Sequence, residues 1–277
     1  MSDAMPSASP RVPVGVDPSR PSIARIYDGF LGGKDNYAVD RDVMAKISQA
    51  VPEAVDIAWG NRRFLNRACR FLAAQTDIDQ FIDCGSGLPT AENTHQIVQR
   101  SNPEARVIYV DNDPVVLAHG RALLAENDNT HMVDADIFTP REVLGSEPVR
   151  QHIDFSAPVV LIQNATLHHL EGDGGPAIMK EYIDVLAPGS FVVFSHFFDP
   201  EKPELSAVAR RIEDILVHSP MGAGRFRTRK QILAMLPGLD LMEPGLVVAD
   251  EWWSDGPPLK PLSLAAQCIA GAVGRKP

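Results

Sequence analysis

From residue 80 onwards, short apolar segments alternate with segments of helical periodicity, and this alternation constrains the fold more than any other feature of the sequence. The segments predicted to be strands are QFIDCG, ARVIYVDND, THMVDADIF, APVVLIQNA, SFVVFSHF, LDLMEPGLVVAD and SLAAQCIAGAVGRK. Strands that alternate with helices form a parallel sheet that is covered by helices on both faces. No helical pattern separates the last two segments, so we expect them to form a hairpin at one edge of the sheet.

The N-terminal third of the chain has a different pattern. Residues 1–20 contain many Pro and Ser residues and few bulky side chains, which predicts a disordered tail. No strand pattern occurs before residue 80, and the apolar residues there follow helical spacing. The helical segments predicted in this region are 23–30, 40–50 and 61–75. We therefore predict one domain over 21–277, with a helical region at 21–78 and a sheet-containing core at 79–277.

Composition and charge narrow the possible functions. The chain has 277 residues, of which 44% are hydrophobic, so a sizeable core can form. A formal charge of −10 argues against nucleic acid as a partner, because phosphate binding needs a basic surface. The three cysteines have no metal-binding spacing and suit a reducing compartment. Neither a membrane span nor a secretory signal is visible, so we expect a cytoplasmic protein that binds neither nucleic acid nor membranes. Composition and charge do not indicate whether the protein is a monomer or an oligomer.

Polar residues follow the predicted strands at the point where each strand ends. These residues are Asp83, Asp111, Asp136, Asn164 and His196. In an open parallel sheet, ligands bind beyond the carboxyl ends of the strands. The repetition of polar residues at successive strand ends therefore predicts a ligand site along this edge.

The turn after the first strand, in FIDCGSGLPTAENTH, indicates what the ligand is. A dinucleotide site requires G-x-G-x-x-G, with backbone N–H groups on the pyrophosphate. Here Gly85 and Gly87 are followed by Thr90 in place of the third glycine, and Pro89 has no N–H to offer. The pattern thus favours a ligand without phosphate over a dinucleotide.

The acids suit a ligand that combines adenosine with an amino acid, as S-adenosylmethionine does. Asp83 could accept a hydrogen bond from the ammonium group, directly or through water. Asp111 lies about 20 residues after the glycines, the spacing of a ribose-binding acid, and a carboxylate can accept from both ribose hydroxyls. Asp136 could accept from the adenine amino group, with Ile137 or Phe138 packed on the ring.

Several of these segments resemble successive motifs of the class I S-adenosylmethionine-dependent methyltransferases. These segments are DCGSGLPT, YVDNDP and DADIF. More narrowly, ARIYDGFLGGKDNYAVDR followed by FIDCGSGLPTAENTH resembles an actinobacterial methyltransferase family that was long described only as a domain of unknown function. The resemblance covers about residues 21–275. It implies a Rossmann-like α/β sandwich with a seven-stranded, mostly parallel sheet and an antiparallel last strand.

The same resemblance implies that the N-terminal helices form a lid over the cofactor. Lys34 would then pair with the methionine carboxylate, and Tyr27 or Tyr37 would face the sulfonium through cation–π attraction. The alternative is that Tyr27 belongs only to the buried face of an amphipathic helix. The complete set of predicted cofactor contacts is Tyr27, Gly33, Lys34, Asn36, Asp83, Gly85, Ser86, Gly87, Asp111, Asn112, Asp136, Ile137 and Asn164.

Three histidines near the ends of the fourth and fifth strands are the candidates for a catalytic base. They are His168, His169 and His196, and a base is needed only if the methyl acceptor must lose a proton. The alternative is that these histidines are solvated or helix-associated, and no third ligand with suitable spacing indicates a metal. The sequence therefore predicts a small-molecule methyltransferase with an unidentified O, N, S or C acceptor. A nicotinamide-dependent oxidoreductase and a non-catalytic regulator that binds S-adenosylmethionine are the alternatives.

Overall fold

The computed structural model describes residues 16–89, 92–124, 127–256 and 260–277. Most of the predicted disordered tail, residues 1–15, lies outside these ranges, as does Thr90 of the glycine turn. Of the remaining tail residues, Val16 packs against a small hydrophobic cluster, and residues 17–20 are exposed. The backbone carbonyl of Arg20 accepts a hydrogen bond from the Arg25 guanidinium at 2.5 Å. The division at residue 20 and the extent of the lid stay predictions.

The core is a mixed sheet whose main path contains seven strands in the order β3-β2-β1-β4-β5-β9-β7. The strands are β1 Gln80–Cys84, β2 Arg106–Asp111, β3 Thr130–Asp134, β4 Val160–Asn164, β5 Phe191–Asp199, β6 Arg227–Thr228, β7 Asp240–Leu241, β8 Val247–Val248 and β9 Ile269–Arg275. Strands β1 to β5 are parallel, whereas β9 runs antiparallel to both β5 and β7. The two-residue strands β6 and β8 pair beside this path. The predicted Rossmann-like fold with a reversed last strand is therefore confirmed.

Ten α-helices are found in the described ranges. They are α1 Ile23–Phe30, α2 Ala38–Ala50, α3 Val55–Gln75, α4 Thr94–Gln99, α5 Pro114–Leu123, α6 Pro140–Gly145, α7 Glu147–His152, α8 Gly175–Val185, α9 Pro203–His218 and α10 Arg229–Leu233. None of them is long and apolar enough to cross a membrane.

Buried side chains form a large hydrophobic cluster on each face of the sheet. One cluster packs β1, β4, β5 and β9 against the N-terminal helices α1 to α3 and against α9, with Phe64 and Leu72 fully buried. The other packs the opposite face against α7 and α8, with Tyr182 fully buried. Successive strand residues thus alternate between two cores, which explains why the strands read as continuous apolar runs.

Two details of the strands and helices differ from the sequence prediction. The predicted strand LDLMEPGLVVAD is divided into β7 and β8, and the last strand begins only at Ile269 because residues 266–268 form a 3-10 turn. Helices α6 and α7 were not predicted. Each has six residues and begins with a Pro in its first turn, so neither is long enough to show a helical period.

A buried carboxylate joins the first two helices. Asp40, in the first turn of α2, has no solvent exposure, and its Oδ2 accepts from the Arg25 Nε at 2.8 Å and from the Tyr37 backbone N–H at 2.8 Å. Its Oδ1 accepts from the backbone N–H of Ser22, the residue that caps α1, at 2.9 Å. The Asp40 side chain therefore fixes the angle between α1 and α2 above the sheet.

We expect Asp40→Ala to lower the free energy of unfolding by about 3–5 kcal/mol, because it leaves the buried Arg25 guanidinium without its counter-ion. Denaturant unfolding monitored by circular dichroism measures this. The control is Asp42→Ala, which removes an exposed carboxylate from the same helix and should change stability by less than about 0.5 kcal/mol. Equal losses in the two variants would contradict this account of the pair.

Candidate functional site

A cavity of about 730 Å³ lies over the carboxyl ends of β1 to β5, beneath helices α1, α2 and α3. It brings together most of the residues predicted from the sequence. Those that line it are Tyr27, Asp83, Gly85, Ser86, Gly87, Asp111, Asn112, Asp136, Ile137, Asn164, His168 and His169. The strand-end pattern thus converges on one space, as the sheet topology requires.

The turn after β1 depends on glycine in two different ways. Gly85 and Gly87 both have φ near +68°, a left-handed conformation that disfavours side chains. At Gly85, a Cβ atom would also lie 2.5 Å from the Thr166 Cγ2, whereas at Gly87 it would meet nothing within 4 Å. The backbone N–H of Gly85 donates to the Val110 carbonyl at 2.7 Å, which holds the turn against β2. Gly85 therefore packs the turn against the loop after β4, while Gly87 leaves open space above it.

Asp111 ties the end of β2 to this turn. Its Oδ2 accepts from the Gly87 backbone N–H at 2.9 Å, and its Oδ1 accepts from the Asp113 backbone N–H at 2.9 Å. Burial raises the pKa of Asp111 to about 6, although both N–H groups act in the opposite direction. Each carboxylate oxygen can accept more than one hydrogen bond, so both remain able to accept from a ligand.

Asp83 is the second buried acid of the cavity. Its Oδ2 accepts from the Thr94 hydroxyl at 2.6 Å. Burial raises its pKa, and the Thr94 hydrogen bond and the positive charge of Arg62 oppose that rise. Arg62, on α3, also lines the cavity. Arg62 belongs to no motif in the sequence, and an arginine on an amphipathic helix is normally solvated, so this position could not be predicted.

A chain of hydrogen-bonded polar side chains beside the cavity links helices α1 and α3 to strands β4 and β5. The Asn61 amide donates to the Tyr27 hydroxyl at 2.9 Å, and the Asn61 Oδ1 lies 2.5 Å from the Ser195 hydroxyl. That hydroxyl is also 2.9 Å from the Asn164 Oδ1, and it accepts from the Ala165 backbone N–H at 2.8 Å. Sequence reasoning missed Asn61 and Ser195. The signal in the sequence was a polar residue, Asn61, at helical spacing from the apolar residues Phe64, Leu65 and Ala68.

The Gly33 segment of the predicted lid does not reach the cavity. Gly33, Lys34 and Asn36 are absent from the lining, and Lys34 is exposed. A Cβ atom at Gly33 would lie 2.0 Å from the Asp28 carboxylate, so packing within the loop alone requires this glycine. The Asn36 side chain donates to the Gly33 carbonyl at 3.2 Å. Cofactor contacts by these three residues stay predictions, and the structure gives all of them except Lys34 a local structural role.

The three candidate histidines have different positions. His168 and His169 line the cavity, and the His168 ring stacks on Phe197 at 3.5 Å between centroids. His196 is fully buried away from the cavity, where its Nδ1 donates to the Phe197 carbonyl at 2.7 Å and its Nε2 accepts from Arg227 at 3.0 Å. The structure therefore does not bring His196 to the site, because both of its ring nitrogens are engaged within the core.

Burial makes all three imidazoles weak bases. It lowers the pKa of His169 and of His196 to about 3, and the pKa of His168 well below its usual value. Neutral imidazoles add no charge to the cavity at pH 7. Within the described ranges, no group of three or more His, Cys, Asp or Glu residues could hold a metal ion.

The distribution of charge fits a ligand that carries positive charge and hydroxyl groups. Asp83, Asp111 and Asp136 surround one cavity, and no lysine or arginine forms an ion pair with any of them among the described residues. A pyrophosphate would add negative charge to these acids, whereas the ammonium, sulfonium and ribose hydroxyls of S-adenosylmethionine complement them. The residues present thus fit this cofactor better than a dinucleotide.

Comparison with known proteins decides between these chemistries. A family model described as S-adenosyl methyltransferase matches residues 10–277. The chain belongs to this methyltransferase family. A search of curated proteins gave no match.

Two solved structures support the assignment to the S-adenosyl methyltransferase family. A proposed methyltransferase from Thermobifida fusca YX is 40% identical, with a TM-score of 0.91 over 97% of this chain and 99% of that chain. A DUF574 family protein from Streptomyces avermitilis MA-4680 is 33% identical, with a TM-score of 0.86 over 93% and 98% of the two chains. The predicted family, the enzyme class and S-adenosylmethionine as cofactor are confirmed, and methyl transfer replaces the nicotinamide alternative.

We expect Gly85→Ala to destabilise this methyltransferase more than Gly87→Ala. Both changes place a side chain in the left-handed region, at a cost of about 1–2 kcal/mol. Only Gly85→Ala adds a collision with Thr166. Denaturant unfolding without ligand measures both losses, and Thr166→Ser should recover part of the loss in the Gly85→Ala background, because it removes the colliding methyl group. No recovery in the double variant would contradict the role assigned to this contact.

Proposed function

We propose that this methyltransferase acts on a small molecule that is held with S-adenosylmethionine inside the cavity over the sheet. The observation that carries the proposal is the cavity itself. Its volume of about 730 Å³ lies within the roughly 300–1,000 Å³ of small-molecule sites, and the helices α1 and α2 cover it. A macromolecular acceptor would instead need an open surface beside the reacting atoms.

The cofactor contacts are assigned by the chemistry of each strand end. Asp111 accepts from the ribose hydroxyls, which lie within reach of the open space above Gly87. Asp136, whose Oδ1 accepts from the Phe138 backbone N–H at 2.9 Å, accepts from the adenine amino group through its other oxygen. Ile137 packs on the adenine ring. These assignments follow the order of the strands along the sheet.

The amino-acid end of the cofactor lies at β1 in this arrangement. Asp83 accepts from the ammonium group. Arg62 lines the cavity close enough to Asp83 to oppose the rise in pKa that burial causes. We assign to Arg62 the ion pair with the methionine carboxylate, which the sequence had predicted for Lys34. Tyr27 and Asn164 lie on the polar chain between the lid and β4 and border the transferred methyl group.

The chemical step makes modest demands on the protein. S-adenosylmethionine supplies an activated methyl group, so the chain has to hold the acceptor in line and exclude water. The two histidines that line the cavity are neutral and weakly basic, since burial lowers the pKa values of both. They orient an acceptor by hydrogen bonding more readily than they remove a proton from it.

We expect Asp111→Asn to weaken S-adenosylmethionine binding by about 10–100-fold, the value of one or two hydrogen bonds to a charged group. The affinity of the wild-type protein for S-adenosylmethionine should rise between pH 5 and pH 7. The ligand binds the ionised carboxylate, and the pKa of Asp111 in the ligand-free protein is about 6. The variant should lack this dependence.

Isothermal titration calorimetry over this pH range measures both effects. Asp134→Asn is the matched control, since Asp134 pairs with Asp111 in the sheet register but is exposed and does not line the cavity. Wild-type affinity that does not change with pH, or equal losses in the two variants, would remove Asp111 from the cofactor site.

A transfer assay tests the acceptor class. The protein is incubated with S-adenosylmethionine carrying an isotope-labelled methyl group and with a cell extract separated by ultrafiltration into small and macromolecular fractions. We expect labelled product and S-adenosylhomocysteine only with the small-molecule fraction, and neither with Asp111→Asn at limiting cofactor. Label found solely in the macromolecular fraction would overturn the proposal.

A further inference from the structure

The cavity has two parts that differ in chemical character. The polar part follows β1, β2 and β3, which supply the acids assigned above. The other part is bounded by β5, β9 and the helices α1, α2, α3 and α9. The β4 loop, with Asn164 and the two histidines, lies between the two parts in the strand order. Since the cofactor is assigned to the acidic part, its methyl group faces the second part.

Apolar side chains from four helices and one loop line this second part, which we call the acceptor compartment. They are Phe30, Ile47, Ile57, Ile212, Leu216 and Met221. Ile47, Ile57, Ile212 and Leu216 belong to the same buried hydrophobic cluster, and Phe30 and Met221 pack against it. The compartment is therefore an indentation in the hydrophobic core that helices α1 and α2 cover.

No charged side chain reaches the acceptor compartment among the described residues. The charged residues that line the whole cavity are Arg20, Arg62, Asp83, Asp111, Asp113 and Asp136. All of them come from the segment before α1, from α3, or from the ends of β1, β2 and β3. On α9, the side chains that line the cavity are Ile212 and Leu216, while Glu213 between them turns away and holds Arg225 and the backbone N–H of Phe226.

This lining discriminates between classes of acceptor. A phosphate, carboxylate or ammonium group placed here would lose its water and find no partner, which is costly for any ion. An apolar body would gain from leaving water in proportion to the area it buries. Two neutral imidazoles at the compartment's edge can exchange a hydrogen bond with a single polar group.

We propose that the methyl acceptor is an uncharged, predominantly apolar molecule whose body fills the compartment between the lid helices and α9. The group that receives the methyl lies at the β4 loop, beside His168 and His169. This inference rests on the proposed function and adds the substrate class to it. Charged metabolites such as phosphorylated sugars or free amino acids are excluded as acceptors by the same reasoning.

A matched pair of probes tests the compartment without knowledge of the natural acceptor. The first probe is 2-naphthol, which is uncharged at pH 7 because a phenol ionises near pH 10. The second is 2-naphthoate, which has the same ring system and a negative charge. Fluorescence titration of the protein saturated with S-adenosylhomocysteine should give at least tenfold tighter binding of 2-naphthol.

A charge placed in the compartment should reverse this preference. Met221→Lys adds a cation to a half-buried loop position, so 2-naphthol should bind at least fivefold more weakly and 2-naphthoate more tightly. Affinity for S-adenosylhomocysteine should stay within twofold of wild type. The control is Leu233→Lys, which adds the same charge at an exposed position on α10 outside the cavity and should change none of these values.

The outcomes separate this inference from the proposed function. Equal affinities, tighter binding of 2-naphthoate, or binding of neither probe by protein that binds S-adenosylhomocysteine would overturn the apolar compartment and leave the methyltransferase intact. Failure to bind S-adenosylhomocysteine would instead count against the cofactor site. If Met221→Lys does not fold, the ratio of the two probes on the wild-type protein still decides the question.

Discussion

The site depends on one carboxylate that serves two strands. Asp111 accepts hydrogen bonds from the Gly87 backbone and from the Asp113 backbone, so it joins the turn after β1 to the start of the helix after β2. Burial of this carboxylate raises its pKa, and the two backbone N–H groups oppose that rise. The left-handed conformations of Gly85 and Gly87 give the turn the path along which the Gly87 N–H meets this carboxylate.

The sheet and the polar half of the site could be predicted because their signals are local. Each of the strands β1 to β5 reads as an apolar run that ends in a polar residue, and parallel topology then brings those ends to one edge. The residue type of Gly85 and Gly87 alone indicates a turn with left-handed backbone conformations. The family resemblance extended this prediction to the reversed last strand, which the antiparallel pairing of β9 with β5 confirms.

The parts of the site that escaped prediction depend on tertiary packing. The polar chain joins Tyr27, Asn61, Asn164 and Ser195, which lie on four different elements and share no sequence pattern. His196 lies near a strand end, as Asp83 and Asp111 do, yet its ring turns into the core toward Arg227. Sequence position places a residue at the sheet edge, but only packing decides which face its side chain takes. The Gly33 loop is a case in which a motif predicted to bind the cofactor has a local packing role, because Gly33 leaves room for the Asp28 side chain.

The residues that cap helices α1 and α5 are directly hydrogen-bonded to each other. Ser22, which caps the N-terminus of α1, donates its hydroxyl hydrogen to Asp113, which caps the N-terminus of α5. The caps themselves use separate contacts, since Ser22 Oγ accepts from the Arg25 N–H and Asp113 Oδ1 accepts from the Val115 N–H. Any movement of α1 away from the sheet therefore has to break the hydrogen bond between Ser22 and Asp113 first.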